Sequence, residues 1–147
     1  MEKVLYIGVA IIALVLLYLF VYVPLQSIKI DEPVPMAAAE PGEDEKSGAM
    51  QVVGTTGHPA SGTVRIVAAD EKQYVRYENF KTINGPDLYV YLSKDLEARE
   101  FINLGPIKAT EGNINYEIPE GTNLTEYRYV LTWCRAFSVL FNSAEIS

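Results

Sequence analysis

The sequence has few of the residues that build metal and redox centres. Its 147 residues include one cysteine, Cys134, and one histidine, His58. A single cysteine excludes an internal disulfide, a four-thiolate zinc site and an iron–sulfur cluster held by cysteine alone. The chain also lacks a Ser–His–Asp order, a phosphate-binding loop and an HExxH motif, so hydrolase and kinase activities have no support.

Basic residues are scarce as well. There are 12 lysines and arginines against 19 acidic residues, which gives a formal net charge of −7. A nucleic-acid partner is not expected, because no basic surface would neutralise the phosphates. Hydrophobic residues make up 49% of the chain, a share that suits a folded core and is too high for a disordered chain.

One long stretch lacks charge entirely. Val4–Val23 contains no charged residue and matches the roughly 20 residues with which a helix crosses a bilayer core. Pro24 would end this helix. We therefore predict a transmembrane anchor over residues 1–26. The alternative is a cleaved signal peptide, but its apolar region usually spans about 7–15 residues and a cleavage site follows closely, whereas Ala37–Ala39 lies far beyond.

The anchor predicts a single-pass protein of the cell membrane, with the bilayer as one partner of residues 4–23. The simplest topology places the short N-terminus inside and the C-terminal domain outside the cytoplasm. Residues 27–50 are acidic and rich in proline and alanine, a composition typical of an extended linker.

Residues 51–147 show the pattern of an all-β domain. Short stretches rich in valine, isoleucine, tyrosine and threonine alternate with turn residues. The predicted strands are Gly62–Ala68, Gln73–Phe80, Leu88–Leu92, Asn115–Ile118, Tyr127–Cys134 and Phe137–Phe141. One helix is predicted over Lys94–Phe101, capped by Ser93. This spacing favours an antiparallel β-sandwich, or flattened barrel, that follows one N-terminal transmembrane α-helix.

The last two predicted strands surround the cysteine. Alternation places Trp133 and Cys134 on opposite faces, and Arg135 would break the aromatic face if the strand continued. We therefore expect a bulge or turn at Arg135–Ala136, with Cys134 at the end of the strand. Trp133 is expected to be the largest single anchor of the core.

Five ordered motifs in this domain resemble the DM-thirteen family of extracytoplasmic electron-transfer domains. They are Gly57–Val64, Asn79–Ser93, Asn103–Pro106, Gly112–Pro119 and Trp133–Phe141. The resemblance covers residues 51–147 and implies a redox centre at the cysteine that follows the tryptophan, here Cys134. It also implies a basic pair after the cysteine, of which only Arg135 is present.

This resemblance gives Cys134 two functional readings. It would exchange electrons as a bare thiol, or it would ligate a prosthetic group such as haem, with His58 as a candidate second ligand or base. The chain lacks the C-x-x-C-H signature of covalent haem attachment. The structural alternatives are a buried cysteine that only packs and a loop histidine bonded to backbone.

The leading hypothesis is thus a membrane-anchored extracytoplasmic redox domain, rather than a classical catalyst, that passes electrons to a membrane or extracytoplasmic partner protein. The second hypothesis is a non-catalytic binding module displayed on the cell surface. A third is thiol–disulfide exchange with a partner protein, which requires trapping a mixed disulfide, since this chain has no resolving cysteine.

Overall fold

The computed structural model describes residues 2–23, 26–35 and 48–146. Helix α1 (Glu2–Leu17) continues into a π-helical turn at Tyr18–Tyr22. Within the described residues, one helix, Lys3–Tyr22, has the length and apolar composition to cross a membrane, and its side chains are exposed. A signal sequence at the N-terminus has the same properties, so the membrane span stays a prediction.

The rest of the described chain forms two five-stranded sheets. The first has the order β1-β8-β5-β4-β2 and the second the order β3-β10-β9-β6-β7. Their bounds are β1 (Lys29–Asp31), β2 (Met50–Gln51), β3 (Val53–Gly54), β4 (Ala60–Ala69), β5 (Lys72–Thr82), β6 (Leu88–Ser93), β7 (Phe101–Pro106), β8 (Glu111–Ile118), β9 (Tyr129–Cys134) and β10 (Val139–Glu145). All pairs are antiparallel except β1 with β8, so the predicted sandwich is confirmed.

The core lies between the sheets because each strand buries alternate side chains. Val75, Tyr77 and Ile114 of the first sheet pack in one cluster with Leu92 and Val130 of the second. Each is at most 2% exposed. Removing such a side chain from water stabilises the fold by about 1.5–3 kcal/mol.

The helix predicted over Lys94–Phe101 is wrong. Residues 94–100 form a turn, and Phe101 begins β7. The Asp95 carboxylate accepts hydrogen bonds from the backbone amides of Glu97 and Arg99, and Ala98 has a φ of 52°. An aspartate that bonds the following amides offers the backbone an alternative to the helix.

The segment predicted to be a linker contains a strand. β1 pairs in parallel with β8, so residues 29–31 form an edge of the first sheet. The buried guanidinium of Arg76 donates to the carbonyl oxygens of Glu32 and Pro33, which holds the chain beyond β1 against the sheet. Residues 36–47, the most acidic part of the predicted linker, lie outside the described residues.

Candidate functional site around Cys134

Cys134 lies inside the sandwich at one end. It is the last residue of β9 and is paired with Leu88 of β6 and Val139 of β10. Its side chain is fully buried. It belongs to a small apolar group, which we call the Cys134 cluster: Cys134, Leu88 and Phe141, with partly buried Ile83, Ile107 and Val139 packed against them. The structure thus places the sulfur at the predicted strand end, but on the inward face.

A loop of residues 83–87 packs against this cluster. A Cβ atom placed on Gly85 would lie 2.9 Å from Cζ of Phe141 and 3.0 Å from Cδ2 of Leu88. These distances are shorter than ordinary van der Waals contact, so a larger residue at position 85 would have to displace the loop or these two side chains. The loop is also stabilised internally, since the Asn84 side-chain oxygen accepts a hydrogen bond from the Gly85 amide. The turn predicted from Asn84–Asp87 therefore has a structural role, because it covers one side of the Cys134 cluster.

Arg135 ties this loop to the end of β9. Its guanidinium donates two hydrogen bonds to the Asp87 carboxylate, with Nε–Oδ2 at 3.1 Å and Nη2–Oδ1 at 3.2 Å. Its amide donates to the Asp87 carbonyl oxygen, and its guanidinium stacks 3.6 Å from the centre of the Tyr89 ring. The hydrogen bonds that Arg135 donates to the Asp87 carboxylate raise the pKa of Arg135 above its ordinary value. The one basic residue after the cysteine therefore holds the cover in place.

The predicted irregularity after Cys134 is a four-residue turn. Residues 135–138 connect β9 to β10, and Ser138 has a φ of 52°. The chain reverses here, at the end of β9, so the predicted turn at Arg135–Ala136 is confirmed. The Arg135 side chain nevertheless stays beside the aromatic face, because its guanidinium stacks on Tyr89, which lies opposite Trp133.

His58 lies near the same cluster but contacts it through an aromatic ring. Its imidazole stacks on Phe141 with ring centres 3.9 Å apart. Its Nδ1 lies 3.0 Å from the Thr55 hydroxyl, which itself lies 2.9 Å from the Leu140 carbonyl oxygen. The Thr55 hydroxyl has one proton. If Thr55 donates it to the Leu140 carbonyl oxygen, then His58 Nδ1 donates to the Thr55 oxygen. In a neutral imidazole, Nε2 is then the nitrogen without a proton.

These positions do not fit a haem bound between Cys134 and His58. The sulfur is covered by aliphatic and aromatic side chains and has no exposed surface. Phe141 packs in the same cluster as Cys134 and also occupies one face of the imidazole. In the described part of the chain, no three or more His, Cys, Asp or Glu side chains form a group that could hold a metal ion. The structure thus brings the two residues to one end of the sandwich, where Phe141 belongs to the cluster of the thiol and stacks on the imidazole.

Trp133 is not the core anchor that the sequence suggested. It is half-buried and lies opposite Tyr89 and Leu140, on the face of β9 away from Val130 and the core. Other aromatic rings share this outer face, and Tyr91 stacks on Phe101 with ring centres 4.1 Å apart. The alternation of β9 places Trp133 and Cys134 on opposite faces, so burial of the thiol leaves Trp133 on the outer face despite its size.

Sequence reasoning missed a group of polar side chains in the interior. The hydroxyls of Tyr77 and Thr132 and the side-chain oxygen of Asn142 are buried and have no hydrogen bond of normal geometry among the described residues. Asn142 does donate to the Thr82 hydroxyl at 3.1 Å. Thr132 precedes Cys134 by two residues on the same strand face, so the interior near the thiol is partly polar. A threonine at an inward position of β9 was the available signal.

Comparison with known families gives a match over nearly the whole sandwich. Residues 52–146 match the family described as Electron transfer DM13. The chain belongs to this family. The resemblance drawn from the five motifs is thereby confirmed, and the electron-transfer description now applies to the domain that contains the Cys134 cluster. No solved structure matches the chain.

Some curated proteins also align with part of the chain. Uracil phosphoribosyltransferase of Bacillus thuringiensis (strain Al Hakam) is 31% identical over 91 residues, and that of Bacillus pumilus (strain SAFR-032) is 29% identical over the same length. Each alignment covers 61% of this chain and 44% of the relative, so the chain spans under half the length of these relatives.

Proposed function

We propose that this DM13 domain is a membrane-tethered electron-transfer module on the extracytoplasmic side, with Cys134 as its redox group. The family match over residues 52–146 is the observation that carries the proposal. The apolar helix supports the tether. Cys134 is the only thiol in the sequence, so thiol chemistry in this chain can occur at no other residue.

The burial of Cys134 defines what such chemistry requires. The loop 83–87 has to move away before a partner can reach the sulfur, because Gly85 packs against Leu88 and Phe141 over the cluster. The Cys134 thiolate would then attack a disulfide of a partner protein. One partner sulfur joins Cys134 in a mixed disulfide, and the other leaves as a thiolate. A second partner thiol has to release Cys134, because this chain has no other cysteine.

Mass spectrometry of the full chain in lipid nanodiscs tests this proposal. The protein is incubated with glutathione disulfide over a range of glutathione ratios, and the fraction of mixed disulfide gives a reduction potential. We expect reversible addition of one glutathione, and no addition in Cys134→Ala. A thiol that reacts only after denaturation would contradict a redox role for Cys134.

Haem binding is a separate prediction, which the family resemblance implies and the arrangement of side chains does not favour. The test is a haemin titration of the full chain, with the Soret band compared between the parent, Cys134→Ser and His58→Ala. Ligation by Cys134 requires a band that changes in Cys134→Ser, and a second ligand at His58 requires a change in His58→Ala as well. Identical spectra in all three proteins would exclude haem ligation by Cys134 and His58.

A second candidate is a non-catalytic module that binds a partner at the cell surface. The fully buried thiol favours it, since free cysteine often serves as a small hydrophobic residue. Cys134→Ala separates the two functions. A binding module keeps its cellular function in this variant, whereas an electron carrier based on Cys134 loses it while the protein stays folded.

A further inference from the structure

The loops nearest the apolar helix lie at one end of the sandwich. β5 and β9 end there, and β6, β8 and β10 begin there, so the loop 83–87 and the turn 135–138 are neighbours. We call these two segments the Cys134 end. The opposite end contains the turn 94–100 and the connection 119–128.

The helix contacts the Cys134 end directly. The ring of Phe20, in the last turn of the helix, lies with its centre 6.2 Å from that of Phe137. A cleft between the helix and the domain is lined by Tyr18, Tyr22 and neighbouring residues on one side and by Asn84–Pro86 on the other. Phe137 nevertheless stays 49% exposed, so Phe20 covers only part of it.

The connection between helix and domain is short because β1 belongs to the sheet. The Thr110 amide donates to the Ile28 carbonyl oxygen at 2.8 Å, and the Ile28 amide donates to the Thr110 hydroxyl at 2.9 Å. Six residue steps separate Val23, at the end of the helix, from Lys29, the first residue of β1. Even a fully extended chain covers no more than about 22 Å in six steps.

We infer that the Cys134 end rests on the bilayer surface, with the Phe137 ring in the interfacial region of the lipid. This inference depends on the membrane span that the proposed function includes. Phe20 lies two residues before the end of the apolar span, which is about 3 Å along the helix axis. A ring in contact with Phe20 therefore lies near the depth of the headgroups.

The chemistry of this end suits a lipid interface. Phe137 presents an exposed aromatic ring, and the one cation of its turn, Arg135, is already paired with Asp87. No unpaired charge of this turn has to leave water as the ring enters the interface. The loop 83–87 then lies between the buried thiol and the membrane, so a partner of Cys134 would approach at the membrane surface.

Fluorescence quenching in nanodiscs made only of phospholipid tests the inference. Trp133 is the only tryptophan, so a Trp133→Phe background allows one probe at a time. Phe137→Trp places the probe at the Cys134 end. Leu96→Trp is the matched control, because Leu96 is a hydrophobic residue with a similar exposure, 41%, at the opposite end. Leu14→Trp reports the span itself.

With lipids brominated near the headgroup, we expect strong quenching in Phe137→Trp and none in Leu96→Trp. With lipids brominated deeper in the chains, Leu14→Trp is quenched. Quenching of Leu14→Trp without quenching of Phe137→Trp overturns the inference and leaves the tether intact. An unquenched Leu14→Trp overturns both the span and the inference that depends on it.

A second labelling scheme covers the case in which Trp133→Phe does not fold. Spin labels on Phe137→Cys and Leu96→Cys, each in a Cys134→Ala background, are compared by their accessibility to oxygen and to a water-soluble nickel complex. We expect the label at position 137 alone to favour oxygen, which concentrates in lipid. Equal accessibility at the two positions contradicts the inference.

Discussion

The glycine that covers Cys134 provides the sharpest test of how this thiol is protected. In Gly85→Ala, the new methyl group would lie 2.9 Å from Cζ of Phe141 and 3.0 Å from Cδ2 of Leu88. Either the loop 83–87 or these side chains must move. Overpacking of this kind costs about 1–3 kcal/mol.

The cost falls mainly on the closed form of the loop, so the variant should populate the open form more often. When opening and closing are fast, alkylation of a buried thiol follows the population of the open form. A shift of about 1–3 kcal/mol corresponds to a rate of Cys134 alkylation about 5- to 150-fold higher. A time course of maleimide labelling under native conditions, in which quenched samples are analysed by mass spectrometry, measures this rate.

Gly121→Ala is the matched control. Gly121 lies in a turn at the opposite end of the sandwich and has a φ of 75°, so alanine is strained there although its Cβ atom would contact nothing. We expect this variant to lose stability without faster alkylation of Cys134. Equal acceleration in both variants would show that the thiol is reached by global unfolding, which refutes the role of the loop as a local cover.

Three further predictions concern the thiol, a partly buried charge cluster and β1. Cys134→Ser should lower the free energy of unfolding by about 1–3 kcal/mol in urea titrations, and by more than Cys134→Ala, because it buries a hydroxyl in an apolar cluster. Partial burial raises the pKa of Glu78, but the hydrogen bonds from Arg76 and Arg65 outweigh this effect and hold the pKa below its ordinary value of 4.5. The stabilisation by Glu78 is present above pH 4.5 and is lost as the pH falls through the lowered pKa, so Glu78→Gln should show a smaller loss of urea midpoint on acidification than the parent. In Gly112→Ala the new Cβ atom would collide with the Ile30 carbonyl oxygen, so β1 should detach from β8. Trypsin should then cut at Lys29 much faster than in the parent. An unchanged cleavage rate would mean that β1 tolerates the collision.

The positions that the sequence identified and those it missed differ in a consistent way. The strands around Cys134 were readable because alternation within one segment separates the inward from the outward face. The turn after Cys134 followed from the same local rule. The helix predicted over Lys94–Phe101 is wrong because the Asp95 side chain accepts hydrogen bonds from the amides of Glu97 and Arg99, which competes with the helix that composition alone suggests.

Contacts between distant segments could not be read in this way. Arg135 and Asp87 are 48 residues apart, and nothing in either local pattern predicts that they pair. The parallel pairing of β1 with β8 joins segments about 80 residues apart, and the short strand carries little hydrophobic signal of its own. Burial of Cys134 likewise depends on Leu88, Phe141 and Gly85, which come from two other strands and a loop.

The amino-acid sequence by itself determined the class of fold, the apolar helix, the family and the residue on which redox chemistry would depend. Periodicity and composition are local properties, and a single cysteine leaves no choice of thiol. Only the tertiary structure decided that this sulfur is buried and that the loop 83–87, which Arg135 holds through Asp87, covers it. The position of this end of the sandwich beside the helix was also decided only there. Each of these depends on which distant side chains meet, and such meetings are set by packing of the whole core rather than by any one segment.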